Sequence, residues 1–387
     1  MTLSALWQQF RDGERPIAPV LVALAVVWLA LGAAAPTFWS AENLVNLALQ
    51  SVSTGIIALG IVVVLLVGQI DLSVGSVSGL AAATVAVGVM QWEWPLTLAV
   101  LVALAAGALT GLIYGVLVAY VGLPGFVLTL SGLLVIAGIQ WQLLGRAGSV
   151  NLPLDSWLVR FSQTAFVPAW LVWTAIGLVI VATASARLIA RRRRIARDLP
   201  VAPLGMEVLR VALLAAVFAV PALYLQQDRG IGWSVALFIA LVAAVGLLLR
   251  RTRWGRSIRA VGGDTQAARL AGVPIRPVVL SAFVVCSTLA ALGGVLAAGR
   301  LAAANQDTGG GELFLMAIAA AVVGGTSLYG GRGSAWSALA GVLVIQSIAN
   351  GLTLLDLDAS ARNIATGVVL VVAISVDTLL RRRSPQR

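Results

Sequence analysis

The chain has 387 residues, of which 60% are hydrophobic and only 11% charged, with a formal net charge of +11. Its cationic side chains are all arginines, 26 of them, and there is no Lys, no His and a single Cys, Cys286. A Walker-type phosphate loop needs its Lys, acid–base catalysis by imidazole needs His, and thiolate metal sites or an internal disulfide need more than one Cys, so these chemistries are excluded for this chain.

Runs of about 20 apolar residues are long enough to cross about 30 Å of hydrocarbon as helices. Twelve are predicted, at 17–35, 44–67, 74–90, 95–120, 125–144, 168–186, 208–225, 231–249, 278–299, 313–329, 334–355 and 363–380. The expected fold class is therefore all-α, a polytopic membrane helix bundle in one domain over 1–387. The first run ends in Ala33, Ala34 and Ala35, like a signal-peptide cleavage site, but at about 19 residues it is too long for a signal core and is expected to be a retained span.

Between the second and third runs stands Gly68-Gln69-Ile70-Asp71-Leu72-Ser73-Val74-Gly75-Ser76. A carboxylate at such a place normally faces a cavity or a partner, which makes Asp71 a functional candidate, and the alternative is a cap on the free N–H groups of the next span. Asn46, Gln50, Ser53 and Gln69 are polar on otherwise apolar segments and are the further candidates for lining a polar path. Each could instead bond a neighbouring helix. Trp39, Trp92, Trp94, Trp233 and Trp254 fall at span ends, where indole rings anchor to the membrane boundary.

With the N-terminus inside, the loops alternate so that Arg11, Arg15, the run Arg187 to Arg210, the run Arg250 to Arg276, Arg332 and the tail Arg381 to Arg387 share the cytoplasmic side. Arg146, Arg160, Arg229, Arg300 and Arg362 fall on or near the other. This inside-positive pattern predicts an even number of spans with both termini cytoplasmic. It also accounts for the basic charge, and no nucleic-acid partner is expected.

The cytoplasmic stretch 250–276 carries a second signal. Asp264 precedes Thr265-Gln266-Ala267-Ala268-Arg269-Leu270-Ala271, then come Gly272, Val273 and Pro274. This reads as a two-turn helix with an N-cap carboxylate, a glycine stop and a proline just beyond. Helices so short are marginal alone in water, so this one needs a surface to pack against: its small alanine face, with Arg269 available for a carboxylate partner, suits a groove on another protein, and the alternative is a lipid-surface or self-packed helix.

Residues 255–273, the Gly68–Ser76 block with Asn43 to Gln50, and Gly309-Gly310-Gly311-Glu312-Leu313 through Gly324-Gly325-Thr326-Ser327-Leu328-Tyr329-Gly330-Gly331-Arg332-Gly333 together resemble the ribose/xylose-type ABC sugar-importer permeases. Gln69 stands where that family often has glycine, and Asp264 where it commonly has Asn. The glycine-rich block, with no Lys, is better explained by close helix packing and a tight turn than by phosphate binding. Residues 145–250, with Asp155, Trp157, Arg160 and the Arg191-Arg192-Arg193-Arg194-Ile195-Ala196-Arg197 loop, are extra relative to the shorter ribose-type members, which resembles the xylose-type branch.

The resemblance implies a transporter subunit of the bacterial cytoplasmic (inner) membrane, not an enzyme. It further implies one half of a homodimeric pore in the lipid bilayer, an ABC ATPase partner with two nucleotide-binding domains that uses ATP and Mg, and a periplasmic or extracellular sugar-binding protein. This chain itself would bind no cofactor and no metal. Asp264, Thr265, Gln266, Ala267, Ala268, Arg269 and Gly272 would dock on the ATPase, and the cargo would be a monosaccharide, xylose or a related pentose. Two other classes compete from the residues alone: an ion-coupled secondary sugar transporter using Asp71, and an intramembrane enzyme, for which clustered catalytic groups are lacking.

Overall fold

The computed structural model describes residues 17–201 and 203–356, with isolated positions between 358 and 371. The N-terminal leader, most of the last predicted span and the arginine tail lie outside the described residues. Each of the first eleven predicted segments overlaps a helix: α1 (Ile17–Ala34), α2 (Ala41–Leu66), α3 (Val74–Met90), α4 (Leu96–Val116), α5 (Gly125–Leu144), α6 (Ala169–Ile195), α7 (Leu204–Leu225), α8 (Trp233–Arg251), then, beyond the short cytoplasmic helices α9 (Arg253–Gly263) and α10 (Thr265–Leu270), α11 (Ile275–Leu301), α12 (Gly311–Val323) and α13 (Ala335–Leu354). Among the described residues eight helices are long and apolar enough to cross a membrane.

The centre of the bundle is α2, whose spanning window is 94% buried. It lies against α11, α12, α13 and α8, while α11 also packs on α3 and α4. Lipid tails are as apolar as leucine, so such contacts depend on close fit more than on hydrophobic transfer. The fit between α4 and α11 comes from Gly107, Gly111 and Gly115, four residues apart on one face. A Cβ at Gly107 would meet the Ser287 carbonyl at 2.8 Å, and one at Gly115 the Leu280 Cα at 2.7 Å.

Several boundaries differ from the sequence reading. The segment expected to run to 329 stops at Val323, because Gly324 and Gly325 end the helix, with Gly325 at φ +95°, and the chain turns through 326–334. The arginine run expected as a loop is helical as far as Ile195, since Arg is a good helix former and positive charge suits a helix C-terminus. Two three-residue strands, β1 (Ser149–Asn151) and β2 (Ala303–Asn305), pair antiparallel with Val150 opposite Ala304, a small departure from an all-α chain.

The insertion divides in two. Its outer loop is held to the bundle by β1, by Gln163 Nε2 donating to the Arg300 carbonyl at 2.8 Å, and by Val167 and Trp233 closing a backbone bridge. The α6–α7 hairpin stands at the periphery, with only 6% of each spanning window buried. It is tethered where the Tyr224 hydroxyl donates to the Trp39 carbonyl.

Candidate translocation cavity and docking helix

At the end of the bundle marked by the β1–β2 ribbon lies a cavity of about 540 Å³. Gln50, Ser53 and Thr54 of α2, Ala297 and Arg300 of α11, the loop Asp307 to Gly310, Leu313 and Met316 of α12, and Gln346 of α13 line it. Volumes in this range suit small molecules, and a lining of amides, hydroxyl, carboxylate and guanidinium among apolar walls can exchange hydrogen bonds with a polyhydroxylated cargo. The Gln346 Nε2 donates to Gln50 Oε1 at 3.4 Å, a long contact joining α13 to α2. Gln140 fixes the loop at the rim by donating to the carbonyls of Asn305 at 3.0 Å and Thr308 at 2.9 Å.

Of the five path candidates, the structure brings Gln50 and Ser53 to this cavity and leaves three elsewhere. The Ser53 hydroxyl donates to the Gly293 carbonyl at 2.7 Å and so also joins α2 to α11. Asn46 Oδ1 accepts from Arg229 at 2.8 Å, beside the Phe166 ring that Arg229 also covers. Gln69 lies under the start of α5, its Oε1 2.5 Å from where a Cβ would project at Gly125. Asp71 is 1% exposed, and its Oδ1 accepts from the Ser73 backbone N–H at 2.8 Å and the Ser73 hydroxyl at 2.7 Å, just before α3 begins. These bonds go to Ser73, the residue that N-caps α3, and not to the free N–H groups of the helix, while Oδ2 is buried without a hydrogen-bond partner among the described residues. Arg300, Asp307 and Gln346 were missed as path candidates, although Gln346, a lone amide in an apolar helix, meets the criterion that singled out Gln50.

The opposite end carries α9 and α10. Thr252 Oγ1 accepts from the Gly255 N–H at 3.1 Å to start α9, whose Ile258 and Val261 are buried while Arg253 and Arg256 face out. Asp264 Oδ1 then accepts from the N–H groups of Gln266 at 2.8 Å and Ala267 at 2.9 Å. The helix closes with Gly272 at φ +77° and Val273 N–H donating to the Ala268 carbonyl at 3.0 Å. Ala268 alone of this helix is buried; Thr265, Gln266, Ala267 and Arg269 are exposed, and Leu270 is 91% exposed. An apolar side chain presented so fully on a self-capped helix is a ready anchor for another protein.

Asp264→Ala removes both cap bonds. A lost cap costs about 0.5–2 kcal/mol, and a six-residue helix has little else to hold it. We expect about a tenfold weaker association with a docking partner, read by binding to immobilised permease, and near-wild-type binding for Asp264→Asn, which keeps the acceptor.

The base of α10 is locked to the bundle by backbone contact. Gly331 N–H donates to the Leu66 carbonyl at 3.0 Å. A Cβ on Gly262 would run into that same carbonyl and lie 2.7 Å from Gly331 N, and one on Gly330 would meet Gly262 O at 2.6 Å and Gly68 at 3.0 Å. The end of α2, the α2–α3 turn, the end of α9 and the glycine loop before α13 thus meet main chain to main chain. Beginning at Ile275, just after α10, α11 is 27 residues and about 40 Å long and reaches the cavity at Ala297 and Arg300, so one helix joins the two candidate sites.

The sequence profile of the family described as branched-chain amino acid transport system / permease component matches residues 43–374. Over 94% of this chain, the chain is 34% identical to the xylose transport system permease protein XylH of Escherichia coli, covering 91% of that relative. The protein of the same description from Haemophilus influenzae is likewise 34% identical, with 96% of its length covered. The ribose import permease protein RbsC of Escherichia coli is 30% identical over 92% of both chains. No solved structure matches the chain.

Proposed function

The chain belongs to the branched-chain amino acid transport system / permease component family, and from that premise we propose that it is the membrane-spanning subunit of an ATP-driven importer of a monosaccharide, xylose or a related pentose. It is a transporter subunit and not an enzyme, with ATP hydrolysis in a separate subunit. The observation that carries the sugar reading is the near-full-length similarity to permeases named for xylose and ribose. A polar cavity at one end of α11 and a self-capped helix bearing exposed Leu270 at the other support the mechanism.

In this reading two copies form the pore in the bacterial inner membrane, each with twelve spans and both termini cytoplasmic. An ATPase with two nucleotide-binding domains, using ATP and Mg, takes residues Asp264 to Gly272 into a groove. Closure of its domains on ATP displaces α10, and the glycine junction passes that displacement to α2 and α11. A sugar-binding protein on the outer side delivers cargo to Gln50, Ser53, Arg300 and Asp307. ATP binding to one state shifts the access equilibrium only by the difference in its affinity for the two states, so the docked helix has to be held differently in each.

The test is uptake of labelled pentoses and hexoses into vesicles holding this chain, the ATPase and the binding protein, with ionophores present. Uptake is expected to need all three proteins and ATP, to survive the ionophores and to favour a pentose. Uptake by this chain alone that collapses with the ion gradient would overturn the proposal in favour of ion coupling.

A further inference from the structure

We infer that the cytoplasmic end of the α6–α7 hairpin is a binding surface for anionic phospholipid, with Arg191, Arg192, Arg193 and Arg194 holding headgroup phosphates. The inference rests on the hairpin and is independent of the transport reading.

Three observations converge on it. First, length: α6 has 27 residues, about 40 Å at 1.5 Å per residue, against about 30 Å of hydrocarbon. Some seven residues therefore project past the apolar layer, and if the helix enters it near Ala169 those are the arginine turns, set at headgroup depth. Second, charge balance: Glu207 is already taken, bridging Arg187 at 2.9 Å and Arg210 at 2.8 Å. Among the described residues no carboxylate lies within 4 Å of Arg191 to Arg194 or Arg197, and Arg192, Arg193, Arg194 and Arg197 are exposed. Four like charges in successive positions at a helix end repel one another, and the helix dipole offsets this only in part. Third, the neighbouring surface is apolar: Leu188 and Ile189, one turn before Arg192 and Arg193, are about half exposed, and Val181 and Leu178 further back are more exposed still.

An apolar shaft ending in a ring of guanidinium groups matches an acyl chain attached to a phosphate. Headgroup phosphates lie at the depth to which the length of α6 brings these guanidinium groups, and acyl chains at the depth of Leu188 and Ile189. Guanidinium forks bind phosphate oxygens in pairs, and clusters of this size beside a span attract anionic lipid.

The test uses the full-length permease, extracted in mild detergent and weighed by native mass spectrometry with its retained lipids. Wild type is expected to carry phosphatidylglycerol or cardiolipin in preference to phosphatidylethanolamine. The variant Arg191→Gln, Arg192→Gln, Arg193→Gln, Arg194→Gln should retain on the order of tenfold less anionic lipid, while the corresponding four-fold Arg→Lys variant keeps most of it. Should the Gln variant fail to fold, wild type in nanodiscs of graded phosphatidylglycerol content serves instead, and its thermal stability should rise with that content at low salt. Equal retention by wild type and the Gln variant, no preference for anionic lipid, or loss of the ATPase with lipid unchanged would each overturn the inference, the last by assigning the surface to a protein.

Discussion

Leu270→Glu is expected to abolish docking of the ATPase while leaving the permease itself folded. Leu270 is 91% exposed in the isolated chain, so the substitution removes nothing from the core, and the melting temperature of purified permease should not change. Burying a leucine at an interface contributes about 2 kcal/mol, and placing a carboxylate there adds a desolvation cost. Together these should weaken association on the order of a hundredfold. Co-purification of the ATPase and ATP-driven uptake should both fall to background. If Leu270→Glu supports normal uptake, α10 is not the docking helix and the exposed leucine has another occupant.

Gly262→Ala and Gly263→Ala, one residue apart, are expected to behave in opposite ways. The added methyl at Gly262 has to displace the Leu66 carbonyl or the Gly331 amide, both main chain, whereas at Gly263 it meets nothing within 4 Å. Overpacking a tight site costs about 1–3 kcal/mol, and more where a backbone has to move. The Gly262 variant should therefore lose several degrees of thermal stability or fail to accumulate. Where it does fold, it should bind the ATPase yet transport poorly, because α9, which carries α10, is no longer seated on the end of α2. Gly263→Ala should match wild type in both measurements. Equal behaviour of the pair would show that the junction is slack and transmits no displacement.

Much of this architecture was legible in hydropathy alone, because a membrane forces every backbone polar group into helices and so makes apolar runs nearly synonymous with helices. The two-turn helix after Asp264 was equally plain, since its carboxylate cap, its glycine stop at Gly272 and Pro274 are all local signals. What sequence could not supply was which polar side chains face a common space. Asn46 and Gln50 lie one turn apart on α2, yet the first meets Arg229 from the insertion and the second the cavity. That division depends on partners some 180 and 300 residues away. Asp71 drew attention by its charge, and one oxygen of its carboxylate serves the turn it stands in while the other is buried without a hydrogen-bond partner among the described residues. The glycines at 107, 111 and 115 carried a readable four-residue spacing that identifies the face of α4 meeting α11.

The deep burial of α2 also bears on how the chain is made. Its principal partner α11 begins at Ile275, which follows Leu66 by 209 residues. At roughly 5–20 residues per second of synthesis, α2 waits about 10–40 s in the bilayer before the helix that shelters it has emerged. During that interval Asn43 and Ser51 already hold the local carbonyls of Phe38 and Leu47, whereas Ser53 has lipid or a transient neighbour in place of the Gly293 carbonyl it keeps. A ribosome stalled before α11 would release a chain whose most deeply buried helix lacks its principal partner, which makes the order of helix insertion part of what the sequence has to encode.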